Sequence, residues 1–471
     1  SAEDEIEGLD ISEHGLATAY ADSIPIVCIT GQVNTDQIGS DVFQEADITG
    51  SAEPFVKHSY LLKDPEDTAR VFKEAFYIAG TGRPGPVLID IPMDVQKAVV
   101  DFEYPEKCEI RSYKPTTKGN YVQVRRVMAA LEEAEKPLIC IGGGVFAAHA
   151  ENEIRELADL MQIPVITTMM GISVFPDDDQ LFCGMIGTHG VKMANAAVNE
   201  CDVLFLVGAR VGDRAVKTPL ALEKTTKIIH IDIDPAEIGK NIGADLPLVG
   251  DAKLVLQQME ELAKPMKHDE WIAHIKTLGG EREYVEPAKG TDNPRVFIDR
   301  LAKKMPANVT VVADVGQNQI WTCTEYKFRK EGRLLTSGGM GTMGYSVPAA
   351  IGAKMADDSR ATVAICGDGA FQMSFMELAT AVQFGVDIKV VVMTNNRLGM
   401  VRELQTNGYH DRQTAVFLDG SPDFIKLAEA YGIPAMRVYD DDTMEKGIEM
   451  LAEHKGICLV EVVVDKDMPT L

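Results

Sequence analysis

Short runs of Val, Ile and Leu recur along the chain and alternate with stretches whose apolar residues return every three to four positions. The runs at 25–30, 86–91, 137–141, 165–169, 203–207, 227–233, 310–313, 362–366, 388–393 and 458–464 are mostly continuous rather than alternating. That pattern marks parallel strands buried on both faces. Helical periodicity lies between them at 66–79, 122–134, 148–161, 294–305, 348–355 and 424–431. Strand-helix-strand repetition of this kind builds doubly wound α/β domains. Two charged stretches that contain proline, 103–119 and 263–293, read as linkers. They divide the chain into 1–105, 120–262 and 294–471, in keeping with 471 residues at about 150 per domain.

The strand ends carry the chemistry. In 361–400 one buried run ends at Gly367-Asp368-Gly369 and the next at Asn395-Asn396, with a helix between. A carboxylate and a carboxamide thereby meet at the carboxyl edge of a sheet, where α/β folds bind ligands. Glycines beside Asp368 let backbone approach a phosphate at a helix N-terminus, and hard oxygen ligands suit Mg²⁺. The segment predicts a metal-diphosphate site. Gly316-Gln317-Asn318 follows another buried run and faces the same edge, and Gly341-Thr342-Met343-Gly344 bends into a helix. In the middle block, Gly142-Gly143-Gly144 and Gly208-Ala209-Arg210 end strands and Gly187-Thr188-His189-Gly190 precedes a helix. Asp232 and Asp251 stand where ribose hydroxyls or an adenine amine could bind, so a second, nucleotide-type site is expected there.

Composition narrows the classes. The net charge of −26 argues against nucleic acid or an anionic membrane as partner. The 8 cysteines lie far apart with no CxxC, several inside apolar runs, which points to a reducing, cytoplasmic compartment. No apolar run reaches the ~18 residues of a spanning helix, and the acidic start SAEDEIEGLD is unlike a signal peptide. No intact GxGxxG follows a strand, which disfavours a hydride-transferring dehydrogenase.

Taken together, several motifs resemble the acetohydroxyacid synthase (acetolactate synthase) family of thiamine-diphosphate enzymes. They are 17-ATAYADSIP-25, 30-TGQV-33, 42-VFQE-45, 82-GRPGPV-87, 314-DVGQNQ-319, 338-GGMGTMGY-345, the GDG…NN segment and 399-GMVR-402. The resemblance runs from Gly15 to the end. It implies three domains: pyrimidine-binding, central FAD-type and diphosphate-binding. It implies Mg²⁺ held by Asp368, Asn395 (rather than Asn396) and the main-chain carbonyl of Arg397. Thiamine diphosphate would meet Gln317, Asn318, Gly341, Met343, Gly367, Asp368, Gly369, Ala370, Met373 and Asn395. FAD would meet Arg83, Gly142, Gly143, Gly187, Thr188, His189, Gly208, Ala209, Arg210, Asp232 and Asp251. Phe43 and Gln44 from a neighbouring subunit, with Met400 and Leu404, would line the substrate channel. The implied reaction decarboxylates pyruvate and joins the two-carbon unit to a second 2-oxo acid, in a homodimer or homotetramer that takes a small regulatory subunit.

The chain departs from the family pattern in places. Asn318 stands where His is usual, Gly212 where Asp is usual, Asn34 for Pro, Met93 for Lys, and Leu404 for the Trp that favours 2-oxobutyrate. The activating glutamate of the family is expected upstream of Ser1, the pyrimidine-binding domain is expected to be incomplete at its amino end, and this exact chain is expected to be impaired. The acids Glu3, Asp4, Glu5, Glu7 and Glu13 read as a solvated terminus rather than substitutes. Alternatives are another thiamine-diphosphate carboligase, a pyruvate oxidase-like enzyme, or a non-catalytic binder of thiamine diphosphate and FAD.

Overall fold

The computed structural model describes residues 14–280 and 284–471, so the expectation for the acids of the amino terminus lies outside the described residues. Fifteen strands form three parallel sheets among them. The first sheet joins β1 (Val27–Gln32), β2 (His58–Leu61) and β3 (Val87–Pro92) in the order β1-β3-β2. The second contains β4 (Pro137–Ile141), β5 (Val165–Thr167), β6 (Phe182–Met185), β7 (Val203–Val207), β8 (Lys227–Asp232) and β9 (Leu246–Val249), ordered β6-β5-β4-β7-β8-β9. The third contains β10 (Val309–Ala313), β11 (Arg333–Thr336), β12 (Ala361–Gly367), β13 (Lys389–Thr394), β14 (Ala435–Val438) and β15 (Cys458–Val463), ordered β11-β10-β12-β13-β15-β14.

Each large sheet winds outward from one strand and then reverses. In the second sheet the chain runs β4, β5, β6 to one side and resumes at β7 on the other side of β4. In the third it runs β10 to β11 and resumes at β12 on the other side of β10. A crevice opens at the carboxyl ends of the two strands flanking such a reversal. The switch points therefore lie between β4 and β7 and between β10 and β12.

All ten expected strands are present, with ends moved by up to two residues. Five others are additional: β2, β6, β9, β11 and β14. Every one is the outermost strand of its sheet. Outer strands pack on fewer neighbours, so their sequences carry broken rather than continuous apolar runs. Expected helices also appear, such as Tyr121–Glu133, capped by Asn120, and Pro294–Lys304, capped by Asn293.

The stretch 263–293, expected to be linker, contains the helix Asp269–Leu278. Its Trp271 is buried, with the indole N–H donating to the Pro137 carbonyl at 3.0 Å. The helix covers the outer face of the second sheet's core beside the helix Lys192–Glu200, through Trp271 and Ile275. Only two of its residues are fully buried, which is why charge dominated its sequence. Trp271→Ala is expected to cost about 3–5 kcal/mol of stability, measured by urea denaturation, because it opens a cavity and orphans a carbonyl.

Candidate functional site

A cavity of about 1440 Å³ runs between the carboxyl ends of the second and third sheets, so both switch points open into one space. Its diphosphate-type end is built on three consecutive strands. β10 delivers Asp314 and Gly316, β12 delivers Gly367 and Asp368, and β13 delivers Asn395.

Asp368 opens a short helix from the end of β12 and is buried at 2% exposure. Its Oδ1 accepts from Gly369 N at 2.8 Å, and its Oδ2 from Asn395 N at 3.1 Å and Asn396 N at 2.6 Å. Burial raises the carboxyl to about 6, against the lowering pull of these amides. The Asn395 carboxamide accepts from Arg397 N at 3.0 Å and donates to Gln317 Oε1 at 3.1 Å. Asn396 takes the left-handed backbone conformation (φ 52°), which asparagine tolerates, and turns the chain after β13. No main-chain hydrogen bond reaches the Arg397 carbonyl among the described residues, while its neighbours pair with Val416 and Leu418. One carboxylate, one carboxamide oxygen and one free carbonyl thus stand together, a donor set of the kind Mg²⁺ takes alongside phosphate and water.

Gly316 has φ 138°, which a side chain would oppose, and it starts the helix Gln317–Glu325. Gln317 Nε2 donates to Met468 O at 2.9 Å and Thr470 Oγ1 at 3.2 Å, so the carboxyl-terminal segment packs over it. Asn318 also lines the cavity, and its Nδ2 donates to Asp314 O at 2.8 Å and Ile365 O at 3.2 Å. Both side-chain N–H groups tie the end of β10 to β12, which leaves the main-chain N–H of Asn318, in the first turn of its helix, as the group it presents to the cavity. Asp314 emerges as a residue without an assigned role in the sequence. It is fully buried, and it accepts from Val315 N at 2.9 Å, Gly344 N at 3.0 Å and Ser346 N at 2.8 Å. That carboxylate holds the bend carrying Met343 against the end of β10.

At the other end, Gly142, Gly143, Gly208, Ala209 and Arg210 line the cavity with Thr188, His189, Asp232 and Asp251. Gly142 and Gly208 let the ends of β4 and β7 touch backbone to backbone, since a Cβ on Gly142 would collide with the Gly208 carbonyl. Arg83 reaches in from the first domain, donating to Ser23 Oγ at 2.9 Å and to Glu237 Oε1 at 2.8 Å. Asp232 caps the turn by accepting from Asp234 N at 2.9 Å, and burial raises its carboxyl to about 6. His230, one strand step behind it, is buried with both ring nitrogens unpartnered, 3.9 Å from Asp232 Oδ2.

Most expected residues converge here, including Gln317, Gly341, Met343, Ala370, Met400 and Leu404; four do not. Gly187 lies beside the cavity, and its φ of 112° and close approach to the Arg214 carbonyl explain it as a turn residue. Met373 is 59% exposed on the far side of Gly344, and its Cβ is 3.0 Å from where a Gly344 Cβ would sit. Phe43 is 85% exposed on a loop of the first domain, followed by Gln44 at φ 68°. Neither Phe43 nor Gln44 lines this chain's own cavity.

The raised Asp232 predicts a pH dependence. An acid whose folded pKa (about 6) exceeds its unfolded value (about 3.8) favours folding below the unfolded pKa, and that contribution disappears as pH rises through 6. Asp232→Asn, which keeps the acceptor for Asp234 N, should match native stability near pH 4. It should exceed native by on the order of 2 kcal/mol at pH 8 in ligand-free protein, read by urea denaturation.

Comparison with known proteins places these features in a family. Residues 314–462 match the model of the thiamine pyrophosphate enzyme C-terminal TPP binding domain, and 124–259 that of the thiamine pyrophosphate enzyme central domain. The chain is 42% identical over 465 residues to the probable acetolactate synthase large subunit of Methanocaldococcus jannaschii, covering 96% of this chain and 78% of that protein. It is 37% identical over 464 residues to the acetolactate synthase isozyme 3 large subunit of Escherichia coli, covering 96% and 81%. It is 40% identical over 464 residues to the acetolactate synthase large subunit of Corynebacterium glutamicum, covering 96% and 74%. With the GDG and NN strand ends joined across one cavity, this chain belongs to the acetolactate synthase large-subunit family of thiamine pyrophosphate enzymes.

Proposed function

We propose that this protein joins two 2-oxo acids with loss of carbon dioxide, forming 2-acetolactate from pyruvate and 2-aceto-2-hydroxybutyrate when 2-oxobutyrate is the acceptor. The observation that carries the reading is the Asp368–Asn395–Arg397 donor set at the switch point of the third sheet, in a chain about 40% identical to acetolactate synthase large subunits. Bound thiamine diphosphate supplies the electron sink that lets a 2-oxo acid lose its carboxylate and attack a second carbonyl.

The chain's own residues bind, orient and exclude water. Asp368, Asn395 and the Arg397 carbonyl would hold Mg²⁺, which neutralises the diphosphate. Binding the metal requires Asp368 ionised, which the three main-chain amides favour and burial opposes. Gln317 would turn from Thr470 toward the diphosphate. Met343 would prop the two cofactor rings, on a bend held by Asp314. Met400 and Leu404, on the helix Gly399–Gly408, would border the acceptor. We assign Phe43 and Gln44 to the cavity of a second copy, consistent with their exposure and with their absence from their own. The proposal therefore includes at least a homodimer, with homotetramers and a small regulatory subunit as further assembly. The 8 cysteines, all free, support a cytoplasmic setting. No helix of the described residues is long and apolar enough to cross a membrane.

FAD is part of the reading as a structural ligand. The second sheet's reversal between β4 and β7, the glycine-lined gap there and two carboxylates at the strand ends form a dinucleotide-type cradle. Its size and its continuity with the diphosphate end support two cofactors side by side.

Three measurements test this. With the activating glutamate supplied, acetolactate should form from pyruvate in the presence of thiamine diphosphate, Mg²⁺ and FAD, and absence of both acetolactate and carbon dioxide release would then defeat the assignment; the 471-residue chain by itself should turn over far more slowly. Asp368→Ala should lower thiamine diphosphate affinity and turnover by about a hundredfold or more while leaving flavin content intact. Leu404→Trp should raise the preference for 2-oxobutyrate over pyruvate by about tenfold, scored as a product ratio under competition.

A further inference from the structure

Thr18 and Asp22 lie in the 17-ATAYADSIP-25 motif, on the helix 14–22 of the first domain rather than on the strand ends that build the site. Asp22 is the last residue of that helix, the end at which the helix dipole opposes an acid. Burial raises its carboxyl, against the lowering pull of the Gly339 amide and the charge of Arg210. The position works against its own helix, and the compensation comes from another domain. Its Oδ1 accepts from Gly339 N at 2.7 Å, across 317 positions of the chain. One helical turn earlier, on the same face, the Thr18 and Thr342 hydroxyls bond at 2.7 Å. The approach is close: a Cβ on Gly339 would stand 2.7 Å from the Ala21 Cβ and 2.9 Å from Asp22 Oδ1.

Both bonds land on the segment that carries Met343. Gly341 (φ 69°) and Gly344 (φ 85°) bracket Thr342 and Met343 with left-handed backbone. Glycine enters that region as readily as any other, so the bend has little stiffness of its own. It is held from outside. Asp314 takes the far end through Gly344 N and Ser346 N, and Ser337 Oγ accepts from Thr342 N at 3.1 Å. The first domain takes Gly339 and the Thr342 hydroxyl. Asp22, Arg210, Gly339 and Met343 all line the one cavity, so Asp22 stands where the three domains meet.

We propose that Asp22 and Thr18 are positioning residues for the thiamine diphosphate site of their own chain: the first domain clamps the segment 339–342 and thereby sets where Met343 stands. This rests on the thiamine diphosphate reading above. The first domain then serves two cavities, its own through this helix and that of a second copy through Phe43 and Gln44. Asp22 and Thr18 act through Met343 rather than on the cofactor directly.

The test is binding of thiamine diphosphate at saturating Mg²⁺ by the full chain, followed by calorimetry, which needs no turnover. Asp22→Ala should weaken binding about tenfold, the scale of one charge-assisted hydrogen bond. Asp22→Asn, which keeps an acceptor for Gly339 N, should stay within about threefold of native. Thr18→Val, close in volume, should weaken binding by about threefold. The decisive readout is the cycle with Met343→Ala. Once that side chain is gone, Asp22→Ala should cost little more, whereas a general loosening of the fold would add its full loss. Native protein that binds no thiamine diphosphate overturns the reading and this proposal with it. Native protein that binds it while Asp22→Ala binds equally well overturns this proposal alone. Strict additivity with Met343→Ala does the same, as does an Asp22→Asn loss as large as that of Asp22→Ala. Should Asp22→Ala not fold, Thr18→Val tests the same clamp, and unchanged affinity in that variant is then the overturning result.

Discussion

The buried carboxylate of Asp368, held by three main-chain N–H groups from two strand ends, is the constraint on which the site depends. A carboxylate at 2% exposure is tolerated only when it is hydrogen-bonded, and the amides of Gly369, Asn395 and Asn396 supply three donors while leaving a lone pair on Oδ1 for a cation. The same bonds lock the end of β12 to the end of β13. Asn395, Gln317 and the start of the helix Gly399–Gly408 then pack around that lock, the last so closely that Gly399 has no room for a Cβ beside Gln317. Electrostatics and backbone geometry are here one requirement.

The central sheet repeats the plan with different contents. Its reversal between β4 and β7 is lined by glycines whose backbones touch; of the adjoining carboxylates, Asp232 is raised by burial and Glu237 keeps one buried oxygen without a partner. Where the end at Asp368 is packed over by Gln317, Thr470 and Met468, the central-sheet end carries an unspent carboxylate oxygen at Glu237. That difference follows from who supplies the donors. Main-chain amides crowd Asp368, whereas Glu237 faces a single guanidinium from another domain and a lysine whose side chain is 57% exposed.

Much of the fold was legible because strands buried on both faces write continuous apolar runs. β4, β7 and β10 carry Leu, Ile and Val over nearly their whole length, and all were expected within a residue or so. β6 and β11, which alternate buried and half-buried positions, were not, and neither was β9, which is interrupted by Pro247. The helix Asp269–Leu278 escaped notice because it commits only Trp271 and Ile275 to the core. In the site, the residues at strand ends were legible from punctuation by glycine. Asp314 and Glu237 were not, since a lone acid after a strand reads the same whether it faces solvent or organises a neighbouring loop.

Local sequence alone determined that buried strands end in Gly316, Gly367-Asp368-Gly369, Asn395, Gly142 and Gly208, because glycine and short polar side chains at the end of an apolar run restrict the backbone and supply ligands within a few residues. Tertiary structure decided the rest. Strand order placed β10, β12 and β13 side by side, spent the side-chain donors of Asn318 on main-chain carbonyls, and left Phe43 exposed outside its own cavity. It also carried Arg83 across to Glu237, 154 positions along the chain. Contacts of that separation depend on which strands neighbour which, and no pattern confined to a few adjacent residues encodes that order.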